Sequence, residues 1–186
     1  MSTSLFQKII DKLRGKPVRF YALDKKIKVS KSADIDNNTV LGDYTYIGNN
    51  TTITRAVIGR YCSIGNNVTI GPGEHNMNEI STSGHLSIST NDYKGLTKDD
   101  CIIGNDVWIG VDAIVRRGIK IGNGAIVGAN SFVNKDVPDF AVVAGSPAKI
   151  IKMRFDEDKI KKINDSKYWE YPPKKAKEIL KKISND

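Results

Sequence analysis

Large aliphatic residues recur along the chain every six positions. Ile35, Leu41, Ile47 and Ile53 keep this spacing, as do Ile58, Ile64 and Ile70. After a break the series resumes with Ile103, Ile109, Val115, Ile121, Val127 and Val133. Between Ile53 and Ile58 the step is five, a one-residue deletion that a corner can absorb. A second column runs four residues behind the first: Thr39, Thr45, Thr51, Val57, Cys62 and Val68, then Val107, Ala113, Ile119, Ala125, Ser131 and Val137. Its members are mostly small or β-branched.

A period of six fits neither a helix nor a half-buried strand of ordinary length. It fits very short strands joined by tight turns, with the aliphatic residue pointing in. Gly follows many first-column residues, as at Gly42, Gly48, Gly65 and Gly110, and Asn or Asp is common nearby. These residues tolerate the positive φ of a sharp corner. Coils of this kind stack and bury a continuous aliphatic ladder. The pattern predicts an all-β solenoid. The threonines of the second column then face inward and serve packing, which argues against a structural or ice-binding β-helix with a surface threonine ladder. Cys62 lies in that column and Cys101 lies two residues before Ile103. Both are expected to be small buried hydrophobes rather than nucleophiles, and two cysteines make no disulfide framework.

The regularity stops at "GPGEHNMNEISTSGHLS", Gly71 to Ser87, and this stretch holds both histidines of the chain, His75 and His85. A long loop leaving a rigid coil is usually functional rather than architectural. The expected organisation is an amphipathic helix and lead-in over 1–26, a β-helix domain over 27–150 with a protruding loop at 74–100, and a helical tail over 151–186. Asp156 is placed to N-cap a helix running to about Tyr168. Pro172 and Pro173 break it, and 174–183 can form a last helix. The terminal helices are expected to cap the open ends of the stack.

The net charge of +8 narrows the partners only partly. After residue 148, Lys and Arg outnumber Asp and Glu by 12 to 7. Such a surplus suits nucleic acid, an anionic membrane, a phosphorylated small molecule or a solvated helix face. No zinc-finger spacing, aromatic RNA-binding motif or basic heptad region is present, so nucleic acid is not expected. No apolar run approaches the ~20 residues needed to span a bilayer. The N-terminal segment lacks the form of a signal peptide, so the expected address is cytoplasmic. Nucleophile-elbow, dinucleotide and P-loop motifs are absent; "AGSPAK" and "GNGAIVG" have the wrong spacing. A metal-dependent hydratase on such a coil needs three histidines, so no metal is expected.

The repeat, with "IIGNDVWIG", "VGANSFVNKDVPDFAVVAGSPAKII" and the histidine loop in this order, resembles the hexapeptide-repeat acyltransferase family. The resemblance covers roughly residues 30 to 170. It is closest to the xenobiotic (chloramphenicol and streptogramin) acetyltransferase branch and related O-acetyltransferases. The tail is similar too, with Trp169 beside Tyr168 where that branch carries a tryptophan pair. The resemblance implies a left-handed parallel β-helix with terminal α-helices, a homotrimer and acetyl-CoA as donor. It implies that His75 is the general base, and an imidazole can take the proton of an alcohol or amine as that group attacks. His85 has no matching role. Glu74 precedes the base, but neighbours on an extended chain point to opposite sides; a backbone carbonyl or a more distant carboxylate is left to orient the ring.

For the cofactor, the resemblance implies that Trp108, Gly110 and Ala129 line the pantetheine arm. Asn134 falls where a family threonine touches coenzyme A. Lys149 and Lys152 fall where family cations meet phosphate, with Arg154 a weaker candidate. In the branch aromatics follow the "ST" after the histidine; here Ser81 and Thr82 lead to Ser83 and Gly84. That departure favours a hydroxyl of a sugar or glycan precursor as acceptor. A sugar amine comes second, and chloramphenicol or a streptogramin third.

Overall fold

The structure is a computed structural model and describes residues 26–88 and 95–185. The expected N-terminal helix lies outside the described residues. The strands are mostly two residues long. In chain order they are β1 (Lys28–Val29), β2 (Asp34–Ile35), β3 (Val40–Leu41), β4 (Tyr46–Ile47), β5 (Thr52–Ile53), β6 (Ala56–Ile58), β7 (Ser63–Ile64) and β8 (Thr69–Ile70). After the loop come β9 (Cys101–Ile103), β10 (Trp108–Ile109), β11 (Ile114–Val115), β12 (Lys120–Ile121), β13 (Ile126–Val127) and β14 (Phe132–Val133). A hairpin of β15 (Ala141–Gly145) and β16 (Ala148–Met153) ends the coil.

Every third strand stacks in parallel on the last, giving three sheets. Sheet A has the order β1-β4-β7-β10-β13-β15-β16, sheet B the order β2-β5-β8-β11-β14 and sheet C the order β3-β6-β9-β12. The result is a left-handed parallel β-helix of about six turns. The first-column aliphatics all point inward, and Ile47, Ile53, Ile64, Ile70, Ile109, Val115 and Val127 are completely buried. Full burial of such a side chain stabilises the fold by about 1.5–3 kcal/mol.

The second column lies inside as well, with one exception. The five-residue step advances the chain by one residue too few, so Ala56 fills the inward slot at 0% exposure and Val57 turns outward at 36%. The buried threonines are hydrogen-bonded, as buried hydroxyls must be. Thr45 donates to the Gly59 carbonyl (2.9 Å) and Thr51 to the Gly65 carbonyl (2.8 Å). Their hydroxyls accept from the Cys62 and Val68 N–H groups. Thr39, Thr45 and Thr51 are thus interior residues. Both cysteines are free and buried. Burial pushes the Cys62 thiol up to about 12 and raises the Cys101 thiol too.

The C-terminal helices do not cap the stack. Asp156 N-caps α1 (Glu157–Ser166), which ends on Lys167 in the left-handed conformation. A single 3₁₀ turn, Tyr168–Glu170, follows. Then α2 (Pro173–Asn185) begins on a proline, which the first helical position accepts because its missing N–H is one of the unpaired donors there. These elements pack along the corner where sheet C turns into sheet A. Tyr168 donates to Asp106 (2.5 Å), Tyr61 to the Tyr171 carbonyl (2.6 Å) and Arg154 to the Gly124 carbonyl (2.5 Å). The reason is an aromatic stripe at that corner. Phe140 joins Ile163, Tyr168, Trp169 and Ala176 in a second core, with Tyr61 packed against it. Gly124 makes room, since a Cβ there would lie 2.4 Å from the Phe140 ring.

Candidate active site

The loop leaves at the corner between sheets B and C, after β8, and returns into β9. Its stems are fastened to the coil by arginines from adjacent turns. Arg117 donates to the Pro72 carbonyl (3.2 Å) on the outgoing stem and to the Thr97 (3.4 Å) and Asp99 (3.3 Å) carbonyls on the returning one. It also reaches the Gly71 carbonyl and the Thr54 hydroxyl. Arg55 donates to the Lys98 carbonyl (3.0 Å) and pairs with Asp100 (3.2 Å). Within the loop, Glu79 accepts from the Ser87 hydroxyl and the Ile88 N–H.

His75 is exposed, and its Nδ1 lies 2.7 Å from the Thr82 carbonyl oxygen. A carbonyl only accepts, so Nδ1 carries the proton and the neutral ring keeps its lone pair on Nε2. Of the two orienting groups left open by the sequence, the backbone carbonyl is the one in place. Glu74 points elsewhere and takes Arg116 in a two-point pair, Nε to Oε1 at 2.6 Å and Nη2 to Oε2 at 3.1 Å. The Arg116 hydrogen bonds hold the Glu74 carboxyl below its ordinary range. His85 is exposed nearby in sequence, and the loop also exposes Met77, Ile80, Leu86 and Ile88.

The six cofactor candidates fall in three places. Trp108 stands on the outside of sheet A at 55% exposure. It is in register with Ile126, which pairs with Val142, which pairs with Lys152. Cross-strand partners share a face, so Trp108 and Lys152 lie on one face, three strand spacings or about 14 Å apart. The register between β15 and β16 shifts at Val142/Val143, leaving Ile151 unpaired. That bulge sets Lys149, opposite Ala144, on the same side as Lys152. Gly110 and Ala129 stack at the corner between sheets A and B, where a Cβ on Gly110 would come within 2.6 Å of the Ala129 nitrogen. Asn134 sits instead at the B–C corner of the last turn, and with Lys149, Val133, Val143 and Ile150 it lines a cleft of about 340 Å³ over the open end. Arg154 serves the fold, with its guanidinium over the Phe140 and Phe155 rings.

Residues 38–72 and 100–135 match the family model described as bacterial transferase hexapeptide (six repeats). The segments of the coil on either side of the loop thus carry hexapeptide repeats. A chloramphenicol acetyltransferase of Agrobacterium fabrum is 45% identical over 85 residues, 46% of this chain and 41% of that protein. A probable macrolide acetyltransferase of Lysinibacillus sphaericus is 43% identical over 74 residues, 40% of this chain and 41% of its own. The matched stretch thus spans about two-fifths of the length of these relatives. Among solved structures, a hexapeptide-repeat containing acetyltransferase from Vibrio cholerae superposes with a TM-score of 0.61 at 23% identity, covering 81% of this chain and 89% of that one. The chain shares the fold of that enzyme. Its loop arginines escaped the sequence reading, although "VRRGIKIG" puts two cations at a corner where the turns above and below carry Asn134 and Gly71.

Proposed function

We propose that the protein is an acetyltransferase that moves acetyl from acetyl-CoA to a hydroxyl of a sugar or glycan precursor, with His75 as general base. The observation that carries this reading is the Nδ1 contact to the Thr82 carbonyl, because it leaves Nε2 as the basic nitrogen. The acceptor hydroxyl attacks the thioester carbon while Nε2 takes its proton. The tetrahedral oxyanion collapses, the C–S bond breaks, and the proton on Nε2 passes to the departing thiolate. A thioester is already activated, so alignment and one base supply most of what the reaction needs. Acetyl-CoA is a cytoplasmic metabolite, so the reading carries a cytoplasmic address.

The site in this reading lies between subunits of a homotrimer. The histidine leaves the coil at the B–C corner, whereas Trp108 and Lys152 stand on the outside of sheet A. In a three-sided coil that corner is opposite that face. A neighbour related by a threefold axis brings the two together, and closed symmetry is the usual outcome of such packing. Trp108, Gly110 and Ala129 would then line the pantetheine arm. Asn134 would touch coenzyme A. Lys149 and Lys152, on one side of the hairpin, would meet its phosphates.

A second acceptor class is an amphiphilic antibiotic hydroxyl. It is favoured by the names of the relatives and by the exposed Met77, Ile80, Leu86 and Ile88 on the loop. Release of the coenzyme A thiol, measured with sugar nucleotides, amino sugars, chloramphenicol and a macrolide in turn, separates the classes. Release that depends on a hydroxyl acceptor is expected. No acceptor-dependent release from any of them overturns the reading.

A further inference from the structure

Arg116 stands at the B–C corner one turn beyond the loop's exit, where the Gly71 N–H donates to the Val115 carbonyl (2.9 Å). Its side chain crosses that step to clasp Glu74 through two parallel hydrogen bonds of 2.6 and 3.1 Å. A two-point guanidinium–carboxylate pair fixes orientation as well as distance. The residue it fixes is next to His75. Between the stem held by Arg117 and the clasped Glu74 stands Gly73, whose missing side chain would meet nothing within 4 Å. Glycine in open space is a free hinge. Beyond Gly73, the clasp on Glu74 is what carries the outgoing stem's attachment to the coil up to the residue next to His75.

We infer that Arg116 and Glu74 form a positioning pair that holds His75 at its working place, with Arg117 closing the mouth of the loop independently. The inference rests on the reading of His75 as the base. His75 then has an anchor on each side: Glu74 locked to the coil before it, and the Thr82 carbonyl holding Nδ1. Because adjacent side chains on extended chain diverge, pulling Glu74 toward the coil turns the imidazole outward. The role is one of placement. Neither Arg116 nor Glu74 needs to touch substrate.

The test is a cycle of Arg116→Ala, Glu74→Ala and the double variant, with His75→Ala alongside, each assayed for kcat and for the KM of acetyl-CoA. Glu74→Gln, which keeps the shape of the side chain and removes its charge, serves if an alanine variant fails to fold, as judged by circular dichroism. Misplacing a base by about 1 Å can cost ~10²-fold, so a 10- to 100-fold fall in kcat is expected. The KM of acetyl-CoA should stay within about twofold, because the pair holds no cofactor group. Each single loss should equal the double loss, since either change breaks the same clasp. On a His75→Ala background the Arg116 change should cost nothing more. Wild-type kcat in Arg116→Ala with an inactive His75→Ala overturns the positioning pair and leaves the base standing. Additive losses, or a raised KM with unchanged kcat, also overturn it. A fully active His75→Ala removes the base itself.

Discussion

Gly110 is where the fold and the proposed cofactor groove meet, and Gly110→Ala perturbs both by one methyl group. The backbone conformation there suits any residue, so the effect is one of space. A Cβ would lie 2.6 Å from the Ala129 nitrogen, 2.9 Å from its Cα and 3.0 Å from the Gly128 carbonyl carbon. Ordinary contact begins at 3.4 Å, so the turns must part by 3.4 − 2.6 = 0.8 Å. Two hydrogen bonds tie them at this corner, Gly110 N–H to the Val127 carbonyl (2.8 Å) and Asn130 N–H to the Val111 carbonyl (2.9 Å). Stretching the first to 2.8 + 0.8 = 3.6 Å takes it beyond bonding range. Two lost bonds at about 1 kcal/mol each, with the strain of overpacking, give a loss of ~2–3 kcal/mol. Urea unfolding at fixed protein concentration reads this as a lower midpoint with an unchanged slope. Gly84→Ala is the control, because its Cβ meets nothing within 4 Å. A Gly110→Ala midpoint equal to that of Gly84→Ala would refute the close approach of the turns.

Three other outcomes follow from the same geometry. Since burial raises both thiols and only the thiolate is reactive, neither Cys62 nor Cys101 should react with a thiol reagent at pH 8 until the protein is unfolded, when two equivalents appear; one fast equivalent in the folded protein contradicts their burial. Removing both Lys149 and Lys152 should raise the KM of acetyl-CoA about tenfold, leave that of the acceptor nearly unchanged and weaken discrimination against dephospho-coenzyme A; an unchanged cofactor constant rules out their phosphate role. Mixing inactive His75→Ala chains with Trp108-defective chains and letting subunits exchange should restore part of the activity, with a sedimenting mass near three chains; exchanged mixtures with no recovery place the site within one chain.

The ladder was legible because each turn repeats one physical requirement. An inward slot accepts only an aliphatic, and a corner favours Gly or Asn, so Ile47, Ile64, Ile109 and Val127 declare themselves without any partner. The shortened step misled the second column at Val57, since a deletion shows its length but not which neighbour slides inward. The C-terminal helices lie along a corner of the coil rather than over its open end. Their periodicity marks an apolar face, but only the aromatic stripe of Tyr61 and Phe140 shows where that face goes, and those residues look like ordinary corner positions in sequence. The histidine loop stood out because it broke the repeat. What orients His75 did not, because a backbone carbonyl belongs to every residue and nothing distinguishes that of Thr82 until the loop folds. The bulge at Ile151, which sets Lys149 and Lys152 on one side, is equally silent in the residue pattern.

In the proposed reaction the imidazole of His75 is the one group that moves a proton. The direct measurement is the turnover rate of His75→Ala and His85→Ala under saturating acetyl donor, with an acceptor that the wild type uses. Loss of a general base costs ~10²-fold or more, so His75→Ala should fall by at least that factor and His85→Ala should stay close to wild type. Equal rates for the two variants would contradict the assignment of His75 as the base.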